Sequence, residues 1–242
     1  MVTYILLALG GVSLIFFLLF RDCEGGILPL ALKTVTSLLF VGTAIAAIVG
    51  NYNLTGTESF GKIAFMGLIL MGLVCGLVGD IALDLKITYF ETSVRHSDLY
   101  TYMGISAFGV GHIYYIIAIS TYFGFSPWSI LIAAASTAAI FGLGKFLFKI
   151  NFGKFFIPCV IYSFLLTFFL ASAIVGGILS SFGLSVVLLI VGASLFVGSN
   201  ALLAFIYFDG NDSRIMIILD NVLYYGGQFL IALSLFYLGT QI

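Results

Sequence analysis

Six polar side chains stand in stretches of sequence that are otherwise apolar: Lys33, Asp80, His112, Asn200, Asp220 and Tyr224. Their types are those of proton transfer and water orientation. An ionisable side chain costs about 2.5–3.5 kcal/mol at the centre of a membrane helix, so it faces the bundle interior and marks a functional position. Lys33, Asp80 and Asp220 each lie about five residues inside an apolar run, which at about 1.5 Å per residue puts them at one level, roughly 8 Å deep. Asn200 and Tyr224 fall about one turn deeper, and His112 falls near mid-membrane. His112 and Tyr115 are three residues apart, and Tyr224 and Gln228 four apart, so each pair shares a helix face. The whole set is expected to line one cavity in the cytoplasmic half, built by helices 2, 3, 4, 7 and 8. Asp84, close to Lys86, is expected to be solvated, and Lys33 has snorkelling to the headgroups as its plain alternative.

Metal and cofactor chemistry find little support in the residues. His96 and His112 are the two histidines, and Cys23, Cys75 and Cys159 share no close spacing, so neither a zinc site nor a disulfide framework is expected. H-E-x-x-H, G-x-S-x-G and the phosphate-binding G-x-x-x-x-G-K-[ST] pattern do not occur, and the last helix has no lysine for a Schiff base. No cofactor is expected.

The elements that must position these residues follow from composition. The chain has 242 residues, of which 62% are hydrophobic and 8% charged, whereas an ordinary soluble domain is about 45–50% apolar and about 25% charged. Its mean hydropathy is +1.24. Such a chain cannot cover its surface with polar groups, which excludes a soluble globular enzyme and a disordered chain. A net charge of −1 without a basic patch argues against nucleic acid as a partner. A membrane helix needs about 20 apolar residues. Eight such runs are expected, over about 3–20, 28–50, 61–85, 99–122, 127–144, 155–179, 182–208 and 215–239. The fold class is therefore all-α: a polytopic membrane protein, residues 1–242 forming one domain with eight transmembrane helices in one bundle. The first run lacks a basic leader and a cleavage site and is read as a retained helix. Gly72 and Gly76 form a small-xxx-small pair on helix 3, and Gly104, Ala107 and Gly111 line a face of helix 4, both suited to close helix packing.

Lysine and arginine in the loops set the expected orientation. Arg21, Lys86, Arg95, Lys145, Lys149, Lys154 and Arg214 fall on one side and Lys62 on the other, seven against one. The protein is thus expected in a bacterial inner or plasma membrane with both termini extracytoplasmic. Reporter fusions at either terminus check this: both should be active outside the cell, and a cytoplasmic N-terminus would mean a miscounted helix.

In chain order, Gly79-Asp80 is followed by Gly104-Ile105-Ser106-Ala107-Phe108, Gly111-His112-Ile113-Tyr114-Tyr115, Gly192-Ala193-Ser194-Leu195-Phe196-Val197-Gly198-Ser199-Asn200 and Tyr224-Tyr225-Gly226-Gly227-Gln228. This order and spacing resemble the YhhN family, which includes the lysoplasmalogenases of animals. The resemblance runs from Lys33 to about Leu235, and it implies eight membrane helices. Lys33, Asp80, His112, Tyr115, Ser199, Asn200, Tyr224 and Gln228 fall on family motif positions. The family's helix-7 motif usually reads Ser-Asp, with that aspartate catalytic alongside the one on helix 3, and here Asn200 replaces it.

What the resemblance implies is hydrolysis of the vinyl ether bond of a single-chain phospholipid to a fatty aldehyde and a glycerophospho-alcohol. Asp80, Asn200 and His112 would be the catalytic residues. Lys33, Tyr115, Tyr224, Gln228 and Ser199 would bind substrate. Asp220 matches no family motif position and is the candidate second carboxylate from its depth alone. Vinyl ether hydrolysis needs an acid and a water-orienting base. If Lys33 pairs with Asp80, then Asp80 is the base and the acid lies elsewhere. The partners expected are that lipid and the bilayer. The alternative is a non-catalytic lipid-binding or lipid-transport protein that kept the cavity, favoured by an amide at position 200. A channel or secondary transporter, a third class, would need an ion path and has only one or two deep carboxylates to build it. Helices 3–4 and 7–8 carry parallel motifs, a hint of two four-helix halves.

Overall fold

A computed structural model describes residues 1–21, 27–55, 60–89, 94–210 and 213–238, without the side chains of residues 53–55, 87–89 and 94. Cys23 lies outside the described residues, while Cys75 and Cys159 are free thiols. Among the described residues there is no strand. Among the described residues eight helices are long and apolar enough to cross a membrane, the fifth together with the turn that prolongs it: α1 (Val2–Phe20), α2 (Ile27–Thr55), α3 (Phe60–Tyr89), α4 (Val94–Tyr122), α5 (Pro127–Gly142), α6 (Phe156–Leu179), α7 (Leu184–Phe208) and α8 (Arg214–Ser234). In hydrocarbon the backbone must satisfy its own hydrogen bonds, and a helix does so within one segment. The three prolines obey the same rule: Pro29, Pro127 and Pro158 all sit in a first turn, where no intrahelical N–H bond is lost.

Several ends differ from the hydropathy reading. α4 starts at Val94, not near 99, because its first turns carry Arg95, His96, Ser97 and Asp98, a polar helical stretch that a hydropathy count misses. α5 is prolonged by a π turn over Leu143–Leu147. α8 ends at Ser234, and just beyond it the buried Asn51 Nδ2 donates to the carbonyls of Leu235 (3.2 Å) and Phe236 (3.1 Å), satisfying acceptors that no helix bond reaches.

Six helices form a ring in the order α2, α3, α4, α6, α7, α8, with α8 returning to α2. α1 packs outside on α2 and α8, and α5 packs outside on α6. The neighbour relations repeat: α1–α2, α2–α3, α3–α4 and α2–α8 in one half match α5–α6, α6–α7, α7–α8 and α6–α4 in the other. Glycines set the repeat in register. A Cβ on Gly111 would lie 2.9 Å from the Gly72 carbonyl, joining α4 to α3, and a Cβ on Gly192 would lie 2.8 Å from the Gly227 carbonyl, joining α7 to α8. Gly72 and Gly192 precede Asp80 and Asn200 by equal steps, and Gly111 and Gly227 directly precede His112 and Gln228. In this register Gly79 corresponds to Ser199, and Gly104 to Asp220.

The contact at Gly192 tolerates no side chain, because overpacking a close backbone approach costs about 1–3 kcal/mol or more. Gly192→Leu is expected to lower the melting temperature in detergent markedly. Gly67→Leu, where an added Cβ meets nothing within 4 Å, should leave it nearly unchanged.

Candidate functional site

Two facing ladders build the heart of the site. α2 and α3 run antiparallel, and each offers polar side chains one turn apart: Lys33 and Ser37 on α2, Asp80 and Asp84 on α3. Lys33 Nζ bonds Asp84 Oδ1 at 2.8 Å, and Ser37 Oγ donates to Asp80 Oδ2 at 2.6 Å. This pairing corrects one expectation from the sequence, the solvation of Asp84, and decides a pairing of Lys33 that the sequence left open. Asp84 is not solvated but 7% exposed, and it, not Asp80, is the acidic partner of Lys33. Antiparallel geometry explains this: moving one turn forward on α2 means moving one turn back on α3, so the residue opposite Lys33 lies beyond Asp80.

α8 closes the other side of Asp80. Tyr224 OH donates to Asp80 Oδ2 at 2.8 Å, and Gln228 Nε2 donates to Tyr224 OH at 3.2 Å. Tyr115 OH reaches Gln228 Oε1 at 3.4 Å. A relay of hydroxyl and amide groups therefore runs from Tyr115 to Asp80. Both hydroxyl donors converge on Oδ2, which leaves Oδ1 as the oxygen able to carry a proton.

The second half supplies a parallel set. Tyr162 OH on α6 donates to Asn200 Oδ1 at 2.8 Å, as Ser37 on α2 donates to Asp80. Asn200 Nδ2 donates to the Phe196 carbonyl at 2.9 Å, which leaves the amide one N–H to offer, since an NH₂ group has two. Ser199 Oγ donates to Asp220 Oδ1 at 2.7 Å. In the repeat register Ser199 and Asp220 stand where the first half has Gly79 and Gly104, and there Leu83 and Phe108 fill the space. The first half thus carries its carboxylate on the third helix of its repeat, and the second half carries it on the fourth.

A cavity of about 150 Å³ joins these groups. Lys33, Asp80, Ser199, Asn200, Asp220 and Tyr224 all line it, and every one of the eight helices contributes to the wall. Its residues come from the C-terminal parts of α1, α3, α5 and α7 and the N-terminal parts of α2, α4, α6 and α8. The cavity therefore lies in the half of the bundle next to the basic loops.

His112, Tyr115 and Gln228 are not in that wall, contrary to the shared cavity expected for His112. His112 is 1% exposed, packed among the rings of Tyr115, Tyr162, Phe169 and Phe196. Its Nδ1 lies 2.5 Å from the Phe108 carbonyl, and so must carry the hydrogen. Phe108, one turn nearer the basic end, lines the cavity in its place. One turn of depth is enough to move a side chain from the wall to the layer behind it.

The sequence reading did not single out Ser37, Tyr162, Tyr225 or the role of Asp84. Ser37 and Asp84 lie four residues from Lys33 and Asp80, a spacing that marks a shared helix face. Nothing in the sequence flags Tyr162, one of many tyrosines and phenylalanines in an apolar run. Tyr225 OH lies 3.1 Å from Ser37 Oγ and 3.3 Å from the Lys33 carbonyl, placing both neighbouring tyrosines of α8 around Asp80. Chemically the arrangement offers, besides the Asp84 that pairs with Lys33, two carboxylates and a hydrogen-bonding amide at one cavity, able to give a proton, take a proton and orient water. Among the described residues no cluster of metal-ligating side chains occurs. The model of the YhhN family matches residues 28–235. No curated protein and no solved structure matches the chain.

Proposed function

The chain belongs to the YhhN family, and from that premise we propose that it hydrolyses the vinyl ether bond of a single-chain ether phospholipid, as lysoplasmalogenases do. The observation that carries the reading is the pair of carboxylates, Asp80 and Asp220, on one cavity with Asn200 beside them. In the proposed reaction Asp80 acts as the acid, since Lys33 is engaged by Asp84. The Asp80 proton goes to the outer carbon of the vinyl ether, leaving an oxocarbenium ion. Water then adds to the carbon bearing oxygen, and its proton passes to Asp220, with the free N–H of Asn200 orienting that water. The hemiacetal collapses as Asp220 returns the proton to the departing glycerol oxygen and the hemiacetal hydroxyl reprotonates Asp80. Lipid and water become aldehyde and glycerophospho-alcohol, with both carboxyl groups restored.

One observation favours a second reading, a lipid-binding or lipid-transport protein without chemistry. Asn200 occupies the position of the family's helix-7 aspartate, and Tyr162 and the Phe196 carbonyl already engage its amide. An amide transfers no proton at neutral pH. Purified protein given a 1-alkenyl lysophospholipid decides between the two. The hydrolase releases long-chain aldehyde from it and none from the saturated 1-O-alkyl analogue. Retention of both lipids without aldehyde would establish the binding protein.

A further inference from the structure

Charged side chains on the cavity wall are Arg21, Lys33, Asp80, Asp84 and Asp220. Lys33 is neutralised by Asp84, and Lys86, nearby, rests its ammonium 3.3 Å from the centre of the Tyr207 ring. Arg21 stands apart. It caps the C-terminal end of α1 and is partly enclosed, and its Nη1 is buried without a hydrogen-bond partner. Leaving a buried donor of a charged group unpaired costs more than leaving a neutral one unpaired. A favourable interaction with the end of α1 would explain an arginine at this position. It would not explain the enclosed Nη1, because an arginine serving only that role turns its head to water. The guanidinium also lies within electrostatic range of Asp220 and Tyr207, both on the cavity wall.

We propose that Arg21 is the anchor for a phosphate group at the mouth of the cavity, specifically the phosphodiester of the bound lipid. The planar guanidinium matches two phosphate oxygens at once, which an ammonium does not. An anionic oxygen there supplies the partner that Nη1 lacks. The headgroup then lies at the basic end, the glycerol beside Asp220, and the chain bond deeper, toward Asp80. That placement rests on the lipid hydrolase reading, but the anchor itself does not require any turnover.

The test is equilibrium binding of two radiolabelled ligands to the full chain in detergent micelles: a saturated 1-O-alkyl lysophospholipid, and the 1-O-alkylglycerol lacking phosphate. Native protein should prefer the phosphate-bearing lipid. Arg21→Gln should weaken binding of that lipid about 10–100-fold, the scale of a charge-assisted hydrogen-bond pair, and leave the alkylglycerol unchanged. Arg21→Lys should recover part of the preference, which also certifies the fold. An unaltered preference in Arg21→Gln, or an equal loss for both ligands, would overturn the anchor. Displacement by inorganic phosphate at the same concentration as the lipid would overturn the lipid assignment in favour of a free-anion site. Because the saturated ether is not cleaved, Arg21-dependent binding without aldehyde release from the alkenyl lipid would reject hydrolysis and retain the anchor.

Discussion

Asp80→Asn is expected to abolish aldehyde release from a 1-alkenyl lysophospholipid, a loss of about 10²–10⁴-fold, the scale of removing a general acid. The substitution keeps shape and hydrogen-bonding capacity at a side chain that is 3% exposed and accepts from Ser37 and Tyr224. The melting temperature should therefore change little, and lipid binding should survive. Aldehyde release measured at saturating lipid separates the lost chemical step from lost binding. Full activity in Asp80→Asn would remove Asp80 from the reaction. Tyr224→Phe, which deletes one of the two hydroxyls on Oδ2, should give a smaller decrease.

The second large effect is expected at Asp220. If the second carboxylate of the site has moved from α7 to α8, Asp220→Asn should cost about 10²-fold or more, comparable to loss of a general base. Ser199→Ala, which frees Asp220 Oδ1 of its 2.7 Å partner, should lower the rate less. Asn200→Asp restores the carboxylate that the family usually has at this position, and the native rate should be kept or raised. The double variant Asn200→Asp with Asp220→Asn is the decisive one. Recovery of activity there means that either helix can supply the base. A native protein without activity that gains it from Asn200→Asp alone would make the cavity a silenced site and leave the lipid-binding reading standing.

The bundle could be read from the chain because its signal is local and one-dimensional. About 20 apolar residues in a row read as a membrane helix, and the eight runs differ from the eight helices by at most about five residues at an end. Asp80, Asn200, Asp220 and Lys33 stand out for the same reason: a polar residue in an apolar run is conspicuous, and its depth follows from counting. Asp84 reads as solvated because it stands close to Lys86 near the end of its run, and nothing along the chain shows that Lys33 faces it. Ser37 and Tyr162 were invisible because serine and tyrosine cost little in a membrane helix and so carry no signal.

Which of these side chains meet is a different kind of information. Depth orders residues along the membrane normal, but contact depends on the rotation of each helix and on which helices are neighbours. The antiparallel register of α2 and α3 gives Lys33 to Asp84 and Ser37 to Asp80. The ring order places α6 against α7, so that Tyr162 holds Asn200. The glycine contacts between α7 and α8 bring those two backbones close enough for Ser199 to reach Asp220. One turn of depth leaves His112 behind the cavity wall while Phe108, on the same face of α4, lines it. Composition and hydropathy decided that this chain is a membrane bundle with buried charges. Helix neighbours, rotation and register, which arise from contacts between residues far apart in the chain, decided that its carboxylates share one cavity and that Arg21 lines it with a buried N–H group unpaired.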